Sequence, residues 1–241
     1  MTLLALERVT KTYLRGRREL VALRDVSLEL DAGEVVGVWG RRFSGRTTLL
    51  RVAGGLAAPD RGRVTLEGAD LTDCPEGELR RRVAYCHPRF DPTHAERVVE
   101  HVAVPLLASG VRFDRACRRA HAMLERLGAG ACAELRPHEL DHGEATRVAI
   151  ARALLPQPQV LLVDEPANGV GLLDRDPLLT MLRTIAKDEG VAVLMTAAET
   201  TALTGVDRAL SLTSGELRGD TTPATAAVVP FPPRRAESST I

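Results

Sequence analysis

Residues 35–50, VVGVWGRRFSGRTTLL, decide the fold of this 241-residue chain. A short apolar run leads into a loop bounded by Gly40 and Gly45, and a stretch typical of a helix follows. These glycines and Thr47 have the spacing of a phosphate-binding loop, G-x-x-x-x-G-K-[ST], although Arg46 stands where that pattern has lysine. Backbone N–H groups of such a loop and of the following helix converge on an anion, and the helix dipole adds to the attraction. The stretch therefore predicts a buried strand, a phosphate loop and a helix.

A second motif, VLLVDEP at residues 160–166, places two adjacent carboxylates after an all-apolar run. Such a run fits a central parallel strand, and parallel sheets bind ligands beyond the carboxyl ends of their strands. We expect Asp164 to bind Mg²⁺ there, directly or through water, together with the hydroxyl of Thr47. Glu165 is expected to polarise an attacking water.

Charge and composition narrow the class of protein. The 32 basic residues equal the 32 acidic ones, which argues against a dedicated nucleic-acid binder that works by phosphate neutralisation. The four cysteines are scattered without a C-x-x-C pair, which predicts reduced thiols rather than a disulfide frame or a zinc site. No apolar run approaches 18 residues. We therefore expect a cytoplasmic protein that reaches a membrane only through a partner.

Hydrophobic periodicity predicts a strand-rich core with a helical insertion. Helical spacing fills residues 88–144, so the core is expected to comprise 1–87 and 145–220, and the Pro-, Ala- and Thr-rich tail 221–241 to be disordered. Further helices are expected after Gly45, near Asp141 and from about Pro177. Strands are predicted at residues 3–13, 21–30, 63–67, 80–86, 160–163, 191–195, 207–212 and 215–218.

Residues 136–154, RPHELDHGEATRVAIARAL, resemble the signature helix of ATP-binding cassette (ABC) ATPases, whose pattern is L-S-G-G-[QE]-x-x-R-V-A-I-A-R-A-L. The order of phosphate loop, helical insertion, signature and Asp-Glu strand is also the order of that family. The resemblance runs from about residue 3 to residue 217 and looks closest to the lipoprotein-release and macrolide-export branch. It implies an α/β P-loop NTPase fold, in which a RecA-like core with an antiparallel β edge carries an inserted α-helical subdomain.

The same resemblance implies a role for each motif residue. Two such domains would close head to tail on ATP and Mg²⁺, each signature completing the other's nucleotide site. A membrane permease would dock near residues 88–106 and hold the chain on the inner face of the membrane. The implied residues are Tyr13 (stacked on adenine), Gly40, Arg41, Arg42, Phe43, Ser44, Gly45, Arg46, Thr47 and Thr48 for the nucleotide, Thr47 and Asp164 for Mg²⁺, Glu165 for catalysis, and Asp141, His142, Gly143 and Glu144 for the signature.

Several positions differ from the family pattern, and they fall in the motifs that bind or hydrolyse the nucleotide in that family. The replacements are Arg46 for lysine, Pro88 for the glutamine that ends a strand, Asp141 and His142 for serine and the first signature glycine, Gly171 for a dimer-contacting aspartate, and Ala198 for the histidine of the switch segment. Arginine is a planar fork and does not simply replace a compact ammonium at a tight phosphate site. Pro88 and Ala198 both remove a polar side chain that the reaction uses.

Some of these positions also have a purely structural explanation. Asp141 and Glu144 fit a D-x-x-E capping box at a helix start. Arg46 alone fits a coding bias, because the chain has only two lysines. For Phe43 the structural alternative is simple packing, since the donors of such a loop are backbone amides.

Three hypotheses fit the residues. The first is an ABC transporter subunit that binds Mg-ATP and hydrolyses it slowly or not at all. The second is a fully active transport ATPase of the same family with tolerated substitutions. The third is a regulatory or binding module that keeps the fold without nucleotide chemistry. We favour the first, because the altered positions are concentrated at the chemistry.

Overall fold

The computed structural model describes residues 2–16, 18–87 and 96–220. Pro88 and the tail 221–241 therefore lie outside the described residues. The strands, in chain order, are β1 (Thr2–Arg15), β2 (Arg18–Asp31), β3 (Val35–Trp39), β4 (Arg61–Leu66), β5 (Ala69–Asp70), β6 (Val83–Cys86), β7 (Val160–Val163), β8 (Ala192–Ala197), β9 (Arg208–Thr213) and β10 (Glu216–Asp220). The α-helices are α1 (Arg46–Ala53), α2 (Glu76–Arg82), α3 (Val98–Ala108), α4 (Phe113–Arg126), α5 (His142–Leu154) and α6 (Leu172–Glu189).

The strands form two sheets. An antiparallel sheet has the order β2-β1-β4-β5, and a second sheet has the order β10-β9-β3-β8-β7-β6. In the second sheet every pairing is parallel except that of β9 with β10. Strands β3, β7 and β8 are central and almost wholly buried, which explains their continuous apolar sequences. The carboxyl ends of these three strands meet at one edge of the sheet.

Alternate residues of the parallel strands point into two separate hydrophobic clusters. Val36 of β3 and Leu162 of β7 pack with α1 and the antiparallel sheet. Val35 and Leu161 face the other way and pack with α3 to α6. The parallel sheet is therefore covered on both faces, by the antiparallel sheet on one side and by helices on the other.

Two predicted element boundaries are wrong. Residues 80–82 end helix α2 rather than begin a strand, because Glu76 and Glu78 occupy its first turn and three arginines its last, as the helix dipole favours. The helix expected from about Pro177 begins at Leu172, so Pro177 lies inside α6. Proline there removes only one helical hydrogen bond, the one that its missing N–H would have made.

The helix predicted near Asp141 is confirmed in detail. Oδ1 of Asp141 accepts a hydrogen bond of 2.8 Å from the backbone N–H of Glu144. Oε2 of Glu144 in turn accepts one of 2.9 Å from the backbone N–H of Asp141. This reciprocal capping box satisfies two donors at the helix start that would otherwise lack partners.

Candidate nucleotide site

The loop between β3 and α1 can be formed only with glycine at its two ends. A Cβ atom on Gly40 would lie 2.3 Å from the carbonyl oxygen of Leu212, and one on Gly45 would lie 2.2 Å from that of Ala22. Gly45 also has a φ of 108°, which L side chains rarely adopt. The two glycines thus let neighbouring backbone close tightly around the loop. Helix α1 then starts directly at Arg46, with its N-terminus at the loop.

Distant parts of the chain hold the loop from behind. The backbone N–H of Gly40 donates to the carbonyl of Ala197 at 3.2 Å, which ties the loop to the end of β8. The backbone N–H of Gly215 donates to the carbonyl of Ser44 at 3.1 Å, and the carbonyl of Gly215 accepts from Arg24 at 2.8 Å. The loop is therefore positioned by β2, by β8 and by the turn between β9 and β10.

Two buried polar atoms of this region have no hydrogen-bond partner among the described residues: Oγ of Ser44 and Nη1 of Arg46. The two residues are only 6% and 8% exposed. A buried donor without a partner is costly, so such atoms mark either strain or a ligand site. Their place, at the end of a glycine-bounded loop and the first turn of a helix, fits a bound phosphate group.

The other terminal nitrogen of Arg46 forms an ion pair within the site. Nη2 of Arg46 lies 2.6 Å from Oε1 of Glu165, whose side chain is 25% exposed. The second oxygen of this carboxylate, Oε2, accepts a hydrogen bond of 3.1 Å from the side-chain amide of Asn168. Both oxygens of Glu165 are therefore engaged in this structure.

Asp164 is the buried acceptor at the centre of the site, with 5% exposure. Its Oδ1 accepts from Thr196 at 2.6 Å, and its Oδ2 accepts from Thr47 at 2.9 Å and from the hydroxyl of Tyr85 at 3.2 Å. Burial, together with the charge of Asp164, raises the pKa of Tyr85 well above its ordinary value. Tyr85 therefore remains a neutral donor to the carboxylate at physiological pH.

The pair of Thr47 and Asp164 fits a magnesium ion. Mg²⁺ prefers hard oxygen ligands and is commonly held by one or two carboxylates together with phosphate oxygens of the substrate. Here a hydroxyl and a carboxylate already lie within hydrogen-bond distance beside the phosphate loop. These two side chains would hold the ion, and its charge would offset that of the phosphates.

The structure thus brings Arg46, Thr47, Asp164 and Glu165 together, as the motif spacing predicts. The structure does not support the packing alternative for Phe43: its side chain is 89% exposed, and the guanidinium of Arg42 lies over its ring, 5.1 Å from the centroid. Its φ of 67° is unusual for a bulky residue.

Tyr13 lies near the far end of β1, on the antiparallel sheet, and is 39% exposed. Nζ of Lys11 lies 5.7 Å from the centroid of its ring.

The signature residues at the start of α5 contact the loop that follows β7, not the loop between β3 and α1. A Cβ on Gly169 would lie 2.6 Å from Cδ2 of His142, so the imidazole packs on the loop that follows β7. His142 and Asp141 are themselves exposed, and Gly143 approaches Val170 of the same loop. The start of α5 and the loop after Glu165 therefore form one packed surface.

Two of the positions that depart from the family pattern, Gly171 and Ala198, lie within the described residues next to α6 and β8. Gly171 precedes α6 as its N-cap, and a Cβ there would contact only Asp174, at 3.6 Å. Ala198 directly follows β8 and is exposed. Neither position carries a polar side chain near the strand ends.

Sequence reasoning missed Tyr85, Thr196 and Asn168. Thr196 bonds both Asp164 and the backbone N–H of Glu165, the latter at 3.0 Å. Their place in the strands could have identified two of them, because Tyr85 and Thr196 lie near the carboxyl ends of β6 and β8, which flank β7. Polar side chains near the ends of parallel neighbours belong to one edge of the sheet.

The chain is similar in sequence to proteins of known families. Residues 23–168 match the ABC transporter family. The lipoprotein-releasing system ATP-binding protein LolD of Maricaulis maris is 37% identical over 224 residues, which cover 89% of this chain and 95% of that protein. The methionine import ATP-binding protein MetN of Thermobifida fusca is 37% identical over 188 residues, or 77% of this chain. The match spans only 59% of the length of MetN.

A solved structure has the same fold over most of the chain. The dimeric bacterial ABC transporter cassette MJ0796 superposes with a TM-score of 0.81 at 25% identity, covering 90% of this chain and 98% of that one. The same cassette has also been solved as a dimer in a post-hydrolysis state with ADP and Pi. Among helices within residues 2–16, 18–87 and 96–220, none has both the length and the apolar character needed to cross a membrane.

Proposed function

This chain belongs to the ABC transporter family as an ATP-binding domain, and we propose that it binds Mg-ATP through the loop at residues 40–48 while hydrolysing it slowly or not at all. The observation that carries the binding proposal is a pair of buried atoms, Oγ of Ser44 and Nη1 of Arg46, that have no partner within residues 2–16, 18–87 and 96–220. They lie beside Thr47 and Asp164, whose oxygens suit Mg²⁺. A triphosphate with its metal would satisfy all four groups at once.

Slow hydrolysis is supported by the state of the groups that would act on water. Glu165 is bound by Arg46 and Asn168 rather than free to accept a proton. Ala198 offers no side-chain hydrogen bond at the end of β8. Loss of a single preorganised electrostatic group typically lowers an enzymatic rate about 10²- to 10³-fold, so the combined change would leave little turnover.

We propose the family's assembly for this chain as well. A second ABC domain would face the nucleotide with its signature, and a membrane permease would dock near residues 88–106, so that the protein acts at the inner face of the membrane. The region 88–144 would be the helical subdomain that contacts the permease. LolD is named for lipoprotein release and MetN for methionine import, so the two relatives support transport without indicating one shared substrate.

A thermal-melt series tests nucleotide binding directly. A ligand that binds only the native state raises the apparent stability by RT ln(1 + [L]/Kd). We expect ATP with Mg²⁺ to raise Tm clearly and phosphate release to remain near background. Asp164→Asn should abolish the Mg²⁺-dependent part of the shift, whereas Asp188→Asn, at an exposed position of α6, should leave it intact.

Each alternative hypothesis gives a different result in this series. A turnover of several per second by the isolated chain would establish an active ATPase and contradict slow hydrolysis. A Tm that does not respond to ATP at millimolar concentration, with or without Mg²⁺, would establish a module without nucleotide chemistry.

A further inference from the structure

We propose that Glu165 competes with nucleotide phosphates for Arg46, because its carboxylate already forms an ion pair with the guanidinium that a phosphate would bind. This regulation rests on the proposed nucleotide binding at the same site. It assigns Glu165 a role in the ground state, before any chemistry. The ion pair and a bound phosphate would oppose each other, and the strength of the pair would set the affinity for the ligand.

The burial of Arg46 makes this competition strong. Its side chain is 8% exposed, so water and salt screen its charge much less than they screen a surface arginine. Nη2 lies 2.6 Å from Glu165, and Nη1 is buried without a partner among the described residues. A phosphate that binds Nη1 must share one guanidinium with a carboxylate or displace it. In both cases the negative charge of Glu165 opposes binding.

Contacts to both the side chain and the backbone hold Glu165 in this position. Asn168 donates to Oε2 at 3.1 Å, and the backbone N–H of Glu165 donates to Oγ1 of Thr196 at 3.0 Å. The backbone of Glu165 has a φ of 50°, in the left-handed region that non-glycine residues seldom occupy. Strain of this kind persists only where the surroundings fix the conformation. The pair is thus part of the built site rather than a chance contact of a free side chain.

The two roles of Glu165 predict different measurements. If the residue served only as a base for water, its neutralisation would lower hydrolysis and leave phosphate affinity unchanged without Mg²⁺, where no hydrolysis takes place. If it competes for Arg46, neutralisation strengthens the binding of any phosphate anion, even one that cannot be hydrolysed at this site. Mg²⁺ would then matter less, because its charge would no longer be needed to offset the carboxylate.

Calorimetric titration of the full chain with inorganic pyrophosphate, and separately with ATP, in EDTA tests the proposal. We expect Glu165→Gln to bind each probe about 10-fold more tightly than wild type, which corresponds to about 1.4 kcal/mol. Asn168→Ala keeps the charge and removes one anchor of the carboxylate, so we expect a gain of about threefold. Glu76→Gln, an exposed residue of α2 that pairs with Arg80, is the matched control and should bind as wild type does.

The outcomes separate this proposal from the one on which it rests. If wild type binds Mg-ATP but Glu165→Gln gains no affinity for pyrophosphate, the competitor role is wrong and the nucleotide site stands. If wild type and both variants bind neither probe nor Mg-ATP, both proposals fail. If Glu165→Gln does not fold, Asn168→Ala decides, and an unchanged affinity in that variant overturns the competitor role.

Discussion

The hydroxyl of Tyr85 donates a hydrogen bond of 3.2 Å to Oδ2 of Asp164, the same oxygen that accepts from Thr47 at 2.9 Å. Oδ1 accepts from Thr196. Three hydroxyl groups therefore surround one buried carboxylate and donate to both of its oxygens. Strand β6 supplies one donor, β8 another and α1 the third, so Asp164 ties together the elements at this edge of the sheet.

Tyr85→Phe should destabilise the protein by about 1.5 to 3 kcal/mol, because a hydrogen bond to a charged acceptor contributes about that much and the ring itself is retained. The free energy of unfolding in urea measures the loss. Tyr13→Phe, at a partly exposed position of β1, serves as the control and should change stability little. A loss at Tyr85 below about 0.5 kcal/mol would mean that Thr47 and Thr196 alone satisfy the carboxylate.

Gly45→Ala should cost more than about 3 kcal/mol, because the new Cβ would meet the carbonyl of Ala22 at 2.2 Å in an unfavourable backbone conformation. Gly77→Ala is the matched opposite, since a Cβ there meets no atom within 4 Å and the residue lies in helix α2. We expect it to stabilise the protein by about 0.5 to 1 kcal/mol. Urea unfolding of both variants checks the pair, and similar effects in the two would contradict the close approach at Gly45.

Asp60 makes stability depend on acid pH in a defined direction. Hydrogen bonds from the side chain of Lys11 and the backbone N–H of Thr12 lower the pKa of Asp60 below its ordinary value of 3.8. The stabilisation is therefore fully present above about pH 4 and is lost as the pH falls through the folded-state pKa. Because the pair is partly exposed, its size should stay below about 1 kcal/mol.

The measurement for Asp60 compares wild type with Asp60→Asn by urea unfolding at pH 7 and at pH 3. At pH 7 wild type should be more stable than Asp60→Asn. At pH 3 the difference in unfolding free energy between the two proteins should be smaller. A difference that grows on acidification would contradict the lowered pKa.

The four cysteines should divide into two classes of reactivity. Burial raises the pKa of the Cys86 thiol to about 12, and burial with the neighbouring Glu144 raises that of Cys132 to about 11. Thiolates, not thiols, react with iodoacetamide, so both should resist alkylation at pH 8 in the native protein. Cys74 and Cys117 are only partly buried and should react before the other two, Cys117 more slowly than Cys74 because burial raises its pKa as well. Mass spectrometry of the alkylated protein checks this, and equal rates at Cys74 and Cys86 would contradict it.

Local sequence patterns predicted the parts of this protein that local physics determines. The spacing of Gly40, Gly45 and Thr47 predicts the loop, and the D-x-x-E pattern at Asp141 predicts the start of α5; the structure has both. The secondary structure of residues 80–82 is predicted wrongly, because three consecutive arginines show no hydrophobic periodicity. There the pairing of Arg80 with Glu76, one helical turn apart, decides for helix.

The motifs predict that Thr47 and Asp164 meet, but other contacts between distant residues escaped prediction, because no pattern within a window of sequence encodes them. The ion pair of Arg46 with Glu165 joins α1 to the end of β7. Each residue was identified from its own motif, yet the substitution of arginine for lysine gave no sign that the longer, forked side chain would reach the carboxylate. The donors Tyr85 and Asn168 belong to no motif and become visible only when the strand order brings them to Asp164 and Glu165.

The carbonyl of Ala22 in β2 lies close to two glycines, one in the loop before α1 and one in the turn between β9 and β10. A Cβ on Gly45 would come within 2.2 Å of its oxygen, and a Cβ on Gly215 within 2.9 Å. Gly215 in turn bonds the carbonyl of Ser44. A synthetic peptide of residues 35–53 would carry the complete motif and yet lack every one of these supports, so it should not hold an anion. Conversely, a displacement of the β9–β10 turn would change the shape of the loop directly, because Gly215 bonds the carbonyl of Ser44.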